Sequence, residues 1–243
     1  MGERKTLLLT GASRGIGHAT VMRFAREGWR VITCSRHPFP EECPWGGGRE
    51  DHIVIDLADP NQTIEAIAGI REKLDGKLHA LVNNAGISPK GPGGSRLSTL
   101  DTDLRTWGHV FHVNFFASIV LARGLREELS AAKGAVVNVT SIAGSRVHPF
   151  AGAAYATSKA ALKALTREMA HDFGPLGVRV NAIAPGEIET SILSPGTEKI
   201  VETLPLRRLG QPREVADVIW FLCSDASSYV TGTEIEVNAG QHV

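Results

Sequence analysis

Leu7-Leu8-Leu9-Thr10-Gly11-Ala12-Ser13-Arg14-Gly15-Ile16-Gly17 is the stretch that decides the fold of this 243-residue chain. Its unbroken apolar run is what a strand buried on both faces of a parallel sheet requires. A glycine turn follows, and then a helical pattern with Ile16, Ala19, Phe24 and Ala25 among its apolar positions. That pattern stops at Gly28, a residue suited to a left-handed C-cap. Strand, glycine turn and helix in this order predict a phosphate-binding opening. The glycines let backbone N–H groups approach a pyrophosphate, and the helix N-terminus adds partial positive charge. The spacing differs from G-x-G-x-x-G, because three residues separate Gly11 from Gly15.

Working outward, the alternation repeats. Residues 30–34 read as a second strand ending at Ser35-Arg36, where a dinucleotide fold carries the group that reads the adenosine ribose. An acid there would accept from a free 2′-hydroxyl and repel a 2′-phosphate. Arg36, with Arg14 in the turn, points to NADP(H) rather than NAD(H). Residues 37–51 carry Pro38, Pro40, Pro44 and Gly46-Gly47-Gly48, which predicts a loop instead of a full helix. A third strand at 53–55 ends in Asp56-Leu57, with Asp56 either contacting adenine or capping the helix that begins near Pro60. Residues 78–82 form a fourth strand running into Asn83-Asn84-Ala85-Gly86, a turn suited to packing near a cofactor. After a loop at 87–100, a long helix is expected over about 101–130, with Asn114 as a polar residue that needs partners among apolar ones. Further strands are read at 135–139, 179–183 and 234–237 and a helix at 212–224; 190–209 reads as a lid with a short helix. Strands alternating with helices imply one α/β domain with a doubly wound parallel sheet.

Composition narrows the function. The 26 basic and 26 acidic residues cancel, so no net field draws the chain to nucleic acid or an anionic membrane. No apolar run approaches the ~20 residues that span a bilayer, and no address label is recognised. Met1-Gly2 with Thr6 formally matches a myristoylation signal, but residues 6–10 read better as the first strand. Cys34, Cys43 and Cys223 lack disulfide or zinc spacing, which fits a reducing, cytoplasmic compartment. The expected partners are small molecules and further copies of the chain.

The chemistry is expected in the stretch from Ser141 to Lys159, S-I-A-G-S-R-V-H-P-F-A-G-A-A-Y-A-T-S-K, which follows the fifth strand. Tyr155 and Lys159 are four apart and share a helix face. A free phenol has a pKa of about 10, and lowering it by about 3 units takes roughly 4 kcal/mol. One ammonium does not supply all of that, so a cofactor charge or helix dipole has to help. A Tyr-x-x-x-Lys pair also arises by chance, so its meaning depends on the rest of the chain. His109 and His112, without a third ligand, read as surface or packing residues and not as a metal site.

With these motifs in order, the chain resembles the short-chain dehydrogenase/reductase family over nearly its full length. Thr10 to Gly17 matches T-G-x-x-x-G-I-G, Asn83 to Gly86 matches N-N-A-G, and Pro185-Gly186 stands for the family's cofactor loop. The 205–210 segment and residues 227–232 resemble its C-terminal signature. The resemblance implies a Rossmann-type sheet of about seven strands in order 3-2-1-4-5-6-7, and hydride transfer between a nicotinamide and a carbonyl or alcohol carbon. Asn114, Ser141, Tyr155 and Lys159 take the places of its catalytic tetrad. Tyr155 is then the general acid/base and Ser141 the partner of the substrate oxygen. Lys159 lowers the tyrosine pKa and holds the nicotinamide ribose, and Asn114 supports a relay water. Gly11, Ser13, Arg14, Gly15, Ile16, Gly17, Arg36, Asp56, Leu57, Asn84, Ala85 and Gly86 become cofactor contacts. Pro185, Gly186, Ile188 and Thr190 join them, the last two at the nicotinamide amide. A homodimer or homotetramer is implied as well.

Three departures stand out. Ser141 and Tyr155 are 14 apart, one more than is usual, so the stretch with His148 and Phe150 shapes a distinctive pocket wall. The Pro-rich 37–51 segment replaces what is often a helix, and Asn238-Ala239-Gly240 stands where a D-G-G-like ending is common. Substrate choice is expected to lie in loops 87–100, 142–153 and 187–209. The leading reading is an NADP(H)-dependent carbonyl reductase or secondary-alcohol dehydrogenase, like 3-oxoacyl-carrier-protein reductases. An acidic carrier would call for a basic docking face, yet the region after the catalytic helix offers His171-Asp172. The alternatives are an NAD-dependent dehydrogenase of a sugar, polyol or steroid, and a non-catalytic dinucleotide-binding sensor.

Overall fold

A computed structural model describes residues 4–39, 48–190, 193 and 196–243. The strands Thr6–Thr10 (β1), Arg30–Ser35 (β2), His52–Val54 (β3), Ala80–Asn83 (β4), Ala135–Val139 (β5), Arg179–Pro185 (β6) and Glu234–Val237 (β7) form one sheet. Its order is β3-β2-β1-β4-β5-β6-β7, and every neighbouring pair is parallel. The order implied by the resemblance is thus the observed one. It reverses between β1 and β4, and at such a switch point the carboxyl ends of the strands open a crevice.

The apolar alternation of β1 divides the core. Leu7 and Leu9 face Phe24, Val31, Ile183 and Ile219 on one side of the sheet. Leu8 faces Ile32, Ile70, Leu121 and Val136 on the other. All three leucines are fully buried, each contributing about 1.5–3 kcal/mol relative to exposure. The first side is covered by Gly15–Arg26 (α1) and Pro212–Cys223 (α8), and the second by helices that include Pro60–Glu72 (α2). Asp59 caps α2 by accepting from the amides of Asn61 and Gln62, and Pro60 occupies its first turn. Cys34 and Cys223 are buried, which pushes both thiols up to about 12, so neither is a ready nucleophile.

One expected element takes a different form. In place of a continuous helix over 101–130, the chain forms Leu104–Phe111 (α3), a π turn at His112–Phe116, Ala117–Gly124 (α4) and Arg126–Ala132 (α5). Asp103 stops it from starting earlier, because its carboxylate accepts from Thr106 N at 2.8 Å as an N-cap. The π turn inserts an extra residue, and Asn114 within it is buried. A Cβ at Gly124 would come within 2.2 Å of Ile67, so the glycine lets α4 lie close against α2. Within the loop expected at 37–51, positions 40–47, including Cys43, lie outside the described residues, as does the Met1-Gly2 pair. The 190–209 segment contains the short helix Thr197–Val201 (α7), and positions 191, 192, 194 and 195 lie outside the described residues.

Candidate active site

The ends of β1 and β4 are tied together first. Thr10 Oγ1 accepts from the backbone N–H groups of Asn84 and Ala85, both at 3.1 Å. Asn84 Nδ2 donates back to the carbonyls of Thr10 and Gly11 at 3.0 and 2.9 Å. This lock needs glycine in the turn: a Cβ at Gly11 would lie 2.8 Å from Ala85 Cα, and one at Gly17 only 2.0 Å from Gly11 O. Gly11 and Gly15 also adopt φ of 70° and 56°, the region that favours glycine. The α1 N-terminus has neither a side-chain cap nor an acidic residue in its first turn. Its N–H groups are therefore left for an anion. Arg14, at the N-cap, and Arg36, at the end of β2, are both exposed and border the same cavity. Asp56 serves as a turn residue, its Oδ1 accepting from Ala58 N at 3.0 Å, and also borders the cavity with Leu57.

The stretch from Ser141 to Lys159 meets this crevice from the other side. Ser141 closes β5 and caps a short 3-10 turn, its Oγ accepting from Ala143 N at 3.2 Å. Tyr155 and Lys159 sit on the first turns of Ala153–Phe173 (α6), with the Lys159 ammonium 5.8 Å from the Tyr155 ring centroid. Lys159 is 3% exposed and donates to Val139 O at 2.7 Å. Burial lowers its pKa from 10.5 to about 8. The Tyr155 pKa moves against the sequence expectation: it is raised, first by burial, while hydrogen bonding to Ser141 lowers it and the Glu187 charge raises it further. Lys159 does not overcome that cost by itself. Gly86 keeps the place beside the ammonium open, since a Cβ there would stand 3.3 Å from Nζ.

Together these residues enclose a cavity of about 580 Å³. Gly11, Ser13, Arg14, Gly15, Ile16 and Gly17 line one end, and Arg36, Asp56, Leu57, Asn84, Ala85 and Gly86 extend it. Ser141, Tyr155, Lys159, Pro185, Gly186, Ile188 and Thr190 complete it. Asn114 alone of the expected site residues lies behind the lining. Its Oδ1 accepts from Ile87 N at 2.8 Å, and its Nδ2 donates to Ile87 O and Ser158 Oγ, both at 3.0 Å. Both amide hydrogens are thereby used, and the carboxamide holds the chain next to Gly86.

Comparison with known proteins shows what the chain is similar to. Residues 11–242 match the family model described as enoyl-(acyl carrier protein) reductase. Protein FixR of Bradyrhizobium diazoefficiens is 61% identical over 245 residues, which cover 100% of this chain and 88% of that protein. A 3-oxoacyl-[acyl-carrier-protein] reductase, FabG, of Thermotoga maritima is 36% identical, with 98% of each chain covered. A crystal structure of a Brucella ovis oxidoreductase of the short-chain dehydrogenase/reductase family, in complex with a partially ordered NAD, is 63% identical. It aligns with a TM-score of 0.86 over 97% of this chain and 100% of that one. The chain belongs to the short-chain dehydrogenase/reductase family. It is accordingly an NAD(P)-dependent oxidoreductase of small molecules, and the glycine cradle and open α1 terminus fit a nicotinamide dinucleotide.

Sequence reasoning missed part of this short-chain dehydrogenase/reductase site. Lys90 and Glu187 also line the cavity, and His148, expected only as a wall, bonds Glu187 through Nε2 at 2.6 Å. The available signal was a carboxylate directly after Pro185-Gly186 at a strand end. Its partner, 39 residues away, has no local signature.

Proposed function

We propose that the chain reduces a carbonyl with NADPH, or oxidises the matching secondary alcohol with NADP⁺, using Tyr155 as general acid/base. The observation that carries this reading is the convergence of Ser141, Tyr155 and Lys159 with the glycine cradle on one cavity. A dinucleotide bound there supplies or accepts the hydride. The protein's own task is then to hold the substrate oxygen and move one proton. Ser141 Oγ donates a hydrogen bond to that oxygen, and Tyr155 delivers the proton as negative charge develops on it. With its pKa raised, first by burial, Tyr155 carries the proton that the reduction consumes. Lys159, charged below a pH of about 8, offsets the charge left on the phenol. Loops 87–100, 142–153 and 187–209 border the substrate end.

Arg14 and Arg36, with no acid at the end of β2, support NADP(H) as the preferred nucleotide. The NAD in the similar Brucella ovis structure favours dependence on NAD, and an NAD-dependent dehydrogenase, of a sugar, polyol or steroid, is the second reading. Association into a homodimer or homotetramer fits the exposed Leu104 and Phe116. A cytoplasmic location fits the two buried, unpaired thiols. Among the described residues no helix is long and apolar enough to cross a membrane. The test is Tyr155→Phe. Turnover should fall at least about 100-fold, in the range for losing a general acid, while nucleotide binding measured by fluorescence persists. Undiminished turnover of an identified substrate would remove Tyr155 from the role.

A further inference from the structure

At the substrate end of the cavity the hydride-transfer reading leaves Lys90, His148 and Glu187 unused. Glu187 follows β6, and its backbone carbonyl is fixed by Gly210 N at 2.9 Å. Its side chain is only 8% exposed, where a carboxylate needs hydrogen bonds to offset lost hydration. Both contacts it receives fall on the same atom. His148 Nε2 lies 2.6 Å and Gln241 Nε2 3.4 Å from Oε1. The amides of Phe150 and Ala151 donate to His148 Nδ1 at 3.2 and 3.3 Å, so the ring's proton is on Nε2, facing the carboxylate. Among the described residues, Oε2 receives no hydrogen bond. The Glu187 charge reaches both reacting and flanking groups: burial raises the Tyr155 pKa and that charge adds to it, while burial lowers the Lys90 pKa and the same charge offsets part of the drop. Lys90 is in turn engaged by Phe150 O at 2.5 Å.

A half-satisfied carboxylate in a substrate cavity, held in one orientation by a histidine, has a defined complement. We propose that Glu187 is a specificity-determining residue whose free Oε2 accepts a hydrogen bond from a hydroxyl or ammonium group carried by the substrate near its carbonyl. His148 is its positioning residue. The enzyme then favours ketones bearing such a donor over plain alkyl ketones, because an apolar group at that place leaves a buried oxygen unpaired. A carboxylate at the same place would be repelled. This inference rests on the carbonyl-reductase reading above.

The test compares kcat/KM, followed by nicotinamide absorbance, for cyclohexanones that differ only beside the carbonyl. One pair carries a hydroxyl against its methyl isostere, and a second a dimethylaminomethyl group against its isobutyl isostere. For the wild type, at least one donor-bearing ketone should exceed its isostere by about tenfold or more, the value of one hydrogen bond of roughly 1.4 kcal/mol. In Glu187→Leu that ratio should fall toward one. In Glu187→Gln a hydroxyl preference should survive, since the amide oxygen still accepts, whereas an ammonium preference should be lost. His148→Leu should lower the ratio and His148→Gln restore part of it. The two pairs separate a hydroxylated from an amine-bearing substrate. Isosteres turned over equally well by the wild type, or a ratio unchanged in Glu187→Leu, would overturn the inference while leaving the reductase reading intact. Turnover of none of the four ketones with either nucleotide would count against that reading, and the inference would fall with it. Nucleotide binding by each variant checks that it is folded.

Discussion

Lys159 carries the cost of being an ammonium inside protein. It is nearly inaccessible, and the only hydrogen bond it donates among the described residues goes to the Val139 carbonyl. Its pKa accordingly drops from 10.5 to about 8. Between those values the unfolded chain holds a proton that the folded chain does not, so stability rises with pH across the window. The contribution is fully present above 10.5 and is lost as pH falls through about 8. The span corresponds to about 3 kcal/mol. Replacing the ammonium by a methyl-terminated chain removes this dependence. The difference in urea-unfolding free energy between the wild type and Lys159→Met should therefore shift in favour of the wild type by up to roughly that amount from pH 8 to 10.5. A difference that stays level across the window would show that Lys159 is better solvated than its burial implies.

The glycine turn and α1 act as one element, and two glycines in different helices show what the site demands. A Cβ at Gly17 meets the Gly11 carbonyl and the Asn84 amide at 2.0 and 2.7 Å, both of them parts of the lock between β1 and β4. Gly17→Ala must push α1 away from that lock. It should cost about 1–3 kcal/mol of stability, in the range for overpacking, and should weaken nucleotide binding by more than tenfold in a fluorescence titration. Gly69 lies exposed on α2 with nothing within 4 Å of a Cβ. Gly69→Ala should stabilise by about 0.5–1 kcal/mol through backbone entropy alone, with binding unchanged; a destabilised variant would mean that α2 needs the flexibility. The contrast also indicates which features could be read without coordinates. β1, the glycine turn and α1 follow from local rules, and β7 lies where its apolar alternation puts it. The π turn at His112–Phe116 does not, because inserting one residue into a helix leaves its apolar spacing almost unaltered over so short a span. The same limit applies at the site. The cradle and the Tyr155–Lys159 pair are local patterns, whereas the Glu187–His148 contact depends on how β6 and the 142–153 loop meet.

At the scale of the whole molecule, nucleotide binding is coupled to folding, since the cradle exists only when β1, β4 and α1 are assembled. A ligand that binds the folded state alone stabilises it by about 2.7 kcal/mol at one hundred times its Kd. For a chain of this length, 1 kcal/mol moves Tm by roughly 2–4 °C, so saturating nucleotide should raise Tm by about 5–10 °C. The two nucleotides differ by one phosphate, and the groups suited to that phosphate are Arg14 and Arg36, both exposed at the cavity's edge. At equal concentration NADPH should therefore raise Tm more than NADH, and the margin should shrink as salt rises, because exposed charge pairs are screened. Arg36→Ser should remove most of the margin without lowering the NADH shift, which the glycine cradle supports. A larger shift with NADH in the wild type would reverse the assigned preference and turn the argument toward the NAD-dependent reading. The cradle, the lock and the catalytic stretch would stand as described, and only the meaning of Arg36 would change.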